Sequence, residues 1–456
     1  MRFRWLWAWI ALLLPLSGCV REYGEPAGPK IRVISPQNPH EVVTNDGVAL
    51  ALDVSSFTGV TSVTVNGQAM AYNTTLRQYE ANLGLSEGLN SLIVSAKDPY
   101  GVASQDTVWM MRMAPQRLGG GPALPQPRGG LAATYLPTQK GTLVTGGAAS
   151  LQSPASNEAY WLADDAAEFR TLPKRMNVAR TGHTATPLLD GRVLILGGSK
   201  VENPTSVSDL VETAELFDPE SGTFNVIPIK TNNPIRRTYH TAVAFDEARN
   251  VTTYLVYLFG GRGDVRYGTN PTMGTREDLR VFRFRNDSLI AVSPTFGYIL
   301  KPNYGHTMTP FFSSYKPREL RFWVAGADFT NDVEGASQSF RYDIRNDNPT
   351  GILPSVRFYP DALPWIAPRI RHTGSIFHTN IVVLAGGMGR TTNDVLGDFE
   401  VVAPTFRQSF YLPASVRLGQ KRFGHAATNP EVNRILFIGG FTTSGAALTS
   451  SEYWTF

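Results

Sequence analysis

Five histidines, His183, His240, His306, His372 and His425, each stand three residues after an arginine or, once, an asparagine. Imidazoles of this kind ligate metals and shuttle protons near neutral pH. Both tasks need side chains that converge. These histidines are instead spread 53 to 66 residues apart, one to each copy of a repeated pattern, with no HxxxH or HExxH spacing. A residue multiplied by repetition is poor evidence for a single active site. The reading is that the Arg and His of each repeat tie strand ends and neighbouring repeats by hydrogen bonds, with no catalytic residue, metal or cofactor assigned. His378 and His40 add no second cluster. The acidic stretch 328–335, opening at Asp328, offers oxygens to Ca²⁺ but lacks the EF-hand register. Arg262-Gly263-Asp264 spells an adhesion tripeptide, although loops of this composition are commonly rich in Gly, Asp and Arg. Acid–base chemistry on an anionic sugar would need a carboxylate beside a guanidinium. Arg266, Arg276, Glu277 and Asp278 supply such groups on one long connection, but no motif selects them. No nucleophile elbow, phosphate loop or dinucleotide fingerprint occurs.

The elements that must carry these residues are β-strands. The 456 residues are 42% hydrophobic and 18% charged, which supplies a packed core and rules out a solvating, disordered chain. Abundant Gly, Pro, aromatic and β-branched residues favour an all-β chain rich in turns. A formal charge of +4, two units of it on Arg2 and Arg4, with no Lys/Arg-rich run, argues against a nucleic-acid partner. The single cysteine, Cys19, excludes intrachain disulfides and cysteine-based zinc sites.

Arg2 and Arg4 precede about twelve apolar residues, Trp5 to Leu16, too few to span a bilayer, followed by Leu16-Ser17-Gly18-Cys19. This resembles the lipobox of bacterial lipoprotein signal peptides. The resemblance implies removal of residues 1–18, acylation of Cys19 and a membrane partner through that lipid. Val20 in place of Asp points to the outer membrane, with the leaflet open. Residues 19–30 read as a tether.

From 31 to 113, short alternating strands and turn signals such as Asn66-Gly67 and Asp98-Pro99-Tyr100-Gly101 predict a small sandwich. Val65-Asn66-Gly67, Tyr79, Gly88-Leu89-Asn90 and Ala96-Lys97-Asp98 resemble bacterial Ig-like spacer domains, without the Cys…Trp…Cys core.

From 114 to 456 one unit recurs: Arg-x-x-His, an apolar run, then paired glycines. Copies end in Gly146-Gly147, Gly197-Gly198, Gly260-Gly261, Gly326-Ala327, Gly386-Gly387 and Gly439-Gly440. Leu131 replaces the first histidine and Asn303 the fourth arginine. Six copies at this period resemble kelch and galactose-oxidase-like propellers, and imply an all-β, six-bladed ring. The last copy stops after its third strand, so a donor within 109–127 is expected to close it, although Gly119-Gly120-Gly121 makes a poor strand. A copper-radical oxidase is excluded because its Tyr–Cys cofactor needs a second-site cysteine. The resemblance leaves a lipid-anchored envelope platform recognising a protein or glycan, with Arg262, Arg266, Tyr267, Arg276 and Asp328 as candidate contacts on variable loops. The alternative is a carbohydrate-active enzyme, such as a sialic-acid mutarotase-like propeller, working in the central funnel.

Overall fold

The computed structural model describes residues 28–114, 117–231, 235–246, 254–265, 272–276, 278–292, 304–312, 319–326, 340–345, 355–359, 369–377, 381–389, 394–406 and 408–455. It is all-β and propeller-like, and the chain divides into two compact units. The smaller comprises the described part of 1–37 with Gly47–Gly84 and Ser91–Val108; the larger comprises Asn38–Asp46, Leu85–Asn90 and Trp109–Phe456.

The smaller unit holds two four-stranded sheets. One pairs Lys30–Ser35, Gly47–Ser55, Gln78–Gly84 and Ala71–Asn73 in that order; the other pairs Gln68–Ala69, Ser62–Val65, Gly88–Lys97 and Ala103–Arg112. Asn66 and Gly67 both have positive φ, the geometry that suits an Asn-Gly hairpin. Inward residues such as Leu50, Leu52, Val63, Val65, Leu92 and Val94 are buried, alternating with exposed ones along most strands.

The larger unit contains, among the described residues, six arrays of four antiparallel strands, the third extended by Ile229–Lys230, which runs parallel to its outer strand Ser288–Ala291. Their first strands are Ala132–Leu136, Thr184–Pro187, Thr241–Asp246, Thr307–Phe312, Thr373–Phe377 and Ala426–Glu431. Each first strand touches the next, and the sixth touches the first, so contact runs in a closed cycle.

The second strand of each array lies between two neighbours and is apolar on both sides. Val193–Leu196 shows the rule: Val193 and Ile195 pack with Leu143 and Leu136 of the first array, Leu194 and Leu196 with Val256 and Leu258 of the third. The cycle continues through Tyr257 with Val324, Trp323 with Val382, Val401 with Phe437, and Ile438 with Val144. Burying each such side chain contributes roughly 1.5–3 kcal/mol. A single array could not bury both faces, which is why the arrays need one another.

The last array takes its outer strand from Arg117–Gly121, antiparallel to Ser451–Thr455, with Gly121 opposite Ser451 and Arg117 opposite Thr455. The donor therefore lies where the sequence placed it, and the three glycines do form a strand. A Cβ on Gly121 would stand 2.4 Å from Ser451 Oγ and 3.1 Å from Leu436 Cδ1, so the position needs its glycine. Gly119 and Gly120 face open space.

The tripeptide Arg262-Gly263-Asp264 is a strand, pairing with Arg237–Thr238 and Met273–Thr275, and Asp264 is buried.

Candidate functional site

The residue just before each repeat histidine, or before Leu131, closes the centre of the larger unit. These residues are Gly130, Gly182, Tyr239, Gly305, Arg371 and Gly424. Each N–H donates to the carbonyl of the equivalent residue in the neighbouring array: Gly182 to Gly130, Tyr239 to Gly182, Gly305 to Tyr239, Arg371 to Gly305, Gly424 to Arg371 and Gly130 to Gly424. The lengths are 2.5 to 2.9 Å, and the circuit returns to its start. All six have φ between 53° and 67°. Glycine adopts that region freely, whereas other residues pay of order 1 kcal/mol or more. Tyr239 and Arg371 occupy it nonetheless.

Their side chains explain the exception. The Arg371 guanidinium lies 4.2 Å from the Tyr239 ring centroid and 4.8 Å from that of Phe423. It donates to Glu202 and to the Tyr239 hydroxyl, while Tyr239 and Thr181 also donate to the Glu202 carboxylate. Glu202 is completely buried and Arg371 nearly so. Burial pushes the Glu202 carboxyl up to about 8, against the pull of the Thr181 hydroxyl, and pushes the Arg371 guanidinium down to about 9. The cluster is thus a polar plug lying over a ring of glycines: a Cβ on Gly130 would stand 2.5 Å from Glu202 Oε2 and 3.0 Å from the Tyr239 hydroxyl.

The repeated histidines pack around the same axis. His183, His240, His306, His372 and His425 each share an Nε2 hydrogen bond with a threonine of the preceding array: Thr145, Thr184, Thr241, Thr307 and Thr373, at 2.8 to 3.3 Å. Burial drives all five well below the ordinary imidazole range, His306 and His425 to about 3, so they are neutral at neutral pH. Where Leu131 replaces histidine, Ala426 replaces the partner threonine, and the two pack in one apolar cluster. With Gly130, Gly182, Tyr239, Gly305, Arg371 and Gly424 these residues enclose about 100 Å³. That volume suits a few waters but not a sugar. Further along the same inner strands, an open recess of about 1040 Å³ is lined by residues such as Thr134, Tyr135, Met308, Ile376 and Thr428.

The repeat arginines turn outward along their own arrays. Arg128, Arg180, Arg237 and Arg369 pair with Glu158, Glu215, Asp278 and Glu400 at 2.6 to 3.3 Å, and Arg422 pairs with Glu452. Four of them also bond a carbonyl of the glycine pair: Gly197, Gly260, Gly386 or Gly439. The second glycine of such a pair, Gly198, has φ 94°, and a Cβ there would stand 2.8 Å from the Thr181 carbonyl and 2.9 Å from His183 Cβ. A charge-assisted bond to a carboxylate, joined in four of them by a bond to a strand-end carbonyl, makes these arginines fasteners. The fourth repeat's Asn303 lies outside the described residues.

The connection 199–213 that delivers Glu202 to the axis also walls an open groove of about 800 Å³ with the third array. Its lining includes Lys200, Thr205, Ser206, Ser208, Arg236 and Thr272. Lys200 is exposed and Arg236 pairs with exposed Glu212. A surface of hydroxyls, one ammonium and one ion pair can hydrogen-bond a hydroxyl-rich ligand.

Of the residues singled out in the sequence, Arg262 is half-buried in its strand. Arg276 is not on an exposed loop: it is buried and donates to Asp278 and to the Asp264 carbonyl. Burial alone would raise Asp278, yet Arg237 and Arg276 hold it well below the usual carboxylate range, which fixes it as their counter-ion. Cys19, Arg266, Tyr267, Glu277 and Asp328 lie outside the described residues. Glu202, Tyr239 and Arg371 were not picked out from the sequence. The available signal was the position before each repeat histidine or Leu131, where two residues interrupt a column of glycines.

No protein-family model matches the chain, and no curated protein matches it. Among solved structures, one described as "Structure of YjhT" is similar over 73% of this chain and 95% of its own, at 14% identity with a TM-score of 0.49.

Proposed function

We propose that the chain is a bacterial envelope lipoprotein, anchored through Cys19, whose six-bladed kelch-type propeller on an Ig-like spacer serves as a recognition platform. The ligand is a glycan or a hydroxyl-rich protein loop, bound in the groove between the second and third arrays. One observation carries this reading. At its plugged end, around Glu202, Tyr239 and Arg371, the axis leaves about 100 Å³, while the open groove beside it is about eight times larger and, unlike the 1040 Å³ recess along the inner strands, is lined by basic side chains, Lys200 and Arg236. A sugar fits the second space and not the first. The test is calorimetric titration of the lipid-free chain with purified peptidoglycan fragments and surface polysaccharide. Binding that weakens about tenfold in Lys200→Ala supports the groove; binding untouched by that change removes it.

A second reading has its own observation. A carboxyl pushed to about 8 in contact with a guanidinium and a phenol is the equipment of proton transfer to an anionic sugar. Turnover of such a sugar that disappears in Glu202→Gln would favour the enzyme.

A further inference from the structure

Five large apolar side chains of the smaller unit are exposed: Tyr72 and Ile93 lie in strands at 51% and 41%, and the other three are more exposed. Phe57 is fully exposed, Tyr100 is 80% exposed and Leu76 is 60% exposed. All three sit on turns at one end of the strands. Phe57 follows Ser55, the last residue of Gly47–Ser55, and Tyr100 follows Lys97, the last residue of Gly88–Lys97. The pairing of Leu52 with Tyr79 brings the turn holding Leu76 to the level of Ser55.

The turns are built to hold these residues out. Thr58 Oγ1 donates to Asp98 Oδ2 at 2.8 Å, tying the Phe57 turn to the Tyr100 turn. Asp98 Oδ1 accepts from the Tyr100 and Val102 N–H groups at 2.9 and 2.8 Å. Asn73 Oδ1 accepts from Leu76 N–H at 3.0 Å. Exposed apolar residues scattered singly need no explanation, but a group on one end does.

Charge and connectivity indicate the occupant. Lys30, Arg77 and Lys97 are exposed at this end, while of the nearby acids Asp98 is buried and saturated with hydrogen bonds and Asp53 is paired with Arg32. The chain also enters the unit here: Lys30 pairs with Ser55, and Gly28 lies against Ala103 and Ser104. Nine residue steps separate Gly28 from Cys19, a reach of at most about 32 Å.

We propose that this end is a membrane-docking face, on which Phe57, Tyr100 and Leu76 enter the headgroup region of an anionic bilayer while Lys30, Arg77 and Lys97 meet its phosphates. Aromatic rings favour that interface, and basic residues add attraction to anionic lipid. The face deepens the reading of a lipid-anchored protein: one acyl anchor and one protein patch together fix the orientation that the anchor alone leaves free.

The test is flotation of the lipid-free chain from residue 20 onward with vesicles of phosphatidylglycerol and phosphatidylethanolamine. The expected result is binding that falls at least tenfold in Phe57→Ser/Leu76→Ser/Tyr100→Ser and in the charge reversal Lys30→Glu/Lys97→Glu, and that weakens in high salt. Absence of wild-type flotation, or equal flotation of all three proteins, would overturn the proposal. So would capture of the wild type by envelope polysaccharide through the same residues with no binding to vesicles. Labelling of the full chain with radioactive palmitate, against Cys19→Ala, reads the anchor separately. A missing Cys19-dependent label would end the lipoprotein reading while leaving the flotation result to decide the face.

Discussion

At the scale of single residues, the plug shows how a fold accepts local cost for a particular contact. Tyr239 and Arg371 hold left-handed backbone where four equivalents are glycine, and Glu202 is buried without exposure. A buried polar cluster is seldom the most stable filling for a core, because desolvation offsets attraction. The arrangement has a pH signature whose sign follows from burial. The Glu202 carboxyl is raised from 4.5 to about 8 in the folded chain, so its contribution is intact below about pH 4.5 and is lost as pH rises through 8. Glu202→Gln cannot titrate and is expected to show a flatter fall of Tm between pH 5 and 8 than the wild type, as measured by thermal unfolding. An unchanged slope would mean that Glu202 is charged throughout. Here the sequence withheld much. It displays the glycine column and its two interruptions, but Glu202 sits in no repeated position and meets Arg371 across 169 residues. Only the cyclic fold brings them together.

At the scale of the element, the second, third, fifth and sixth repeats are wedges fastened twice: by Arg to a carboxylate of their own array, and by His to a threonine of the array before. Arg180 and Glu215 are both fully buried, so removing one partner strands a charge. Arg180→Ala is expected to cost about 3–5 kcal/mol in chemical denaturation. The histidine link already carries its own natural experiment in Leu131 and Ala426. His425→Leu alone leaves the Thr373 hydroxyl buried without its partner, a loss of about 1–3 kcal/mol. His425→Leu/Thr373→Ala should recover at least about 1 kcal/mol of that loss in a double-mutant cycle. The five depressed imidazoles have the opposite sign to Glu202. Their contribution is present above the unfolded value near 6.5 and is lost as pH falls towards 3, so acid unfolding should set in below pH 6. These fasteners were legible from the sequence, because repetition exposes what every wedge needs. Arg276 was not. Its place on a long connection suggested solvent, and only the neighbouring Asp264 strand and Asp278 show why it is inside.

At the scale of the larger unit, one fact accounts for the rest: sheets that are apolar on both sides must be arranged so that every side meets another. The alternation of Val193 and Ile195 against Leu194 and Leu196, serving two different neighbours, is the physical form of that demand. The sequence announced it as continuous apolar runs before each glycine pair. It understated Arg117–Gly121, since glycine is a poor strand former until crowding by Ser451 and Leu436 makes any side chain costly. Gly121→Val is accordingly expected to lose about 1–3 kcal/mol of stability, whereas Gly119→Ala, facing open space, should be neutral or slightly stabilising. Equal effects in thermal denaturation would contradict this closure. The central claim is that the axis is a lock and the groove beside it is the site of recognition. It is tested most directly by one calorimetric comparison, in which the lipid-free chain, Lys200→Ala/Arg236→Ala and Glu202→Gln are titrated with the same purified envelope glycan. The account expects the groove variant to lose binding at least tenfold and the plug variant to keep wild-type affinity. Loss confined to Glu202→Gln would contradict it and move the function to the axis.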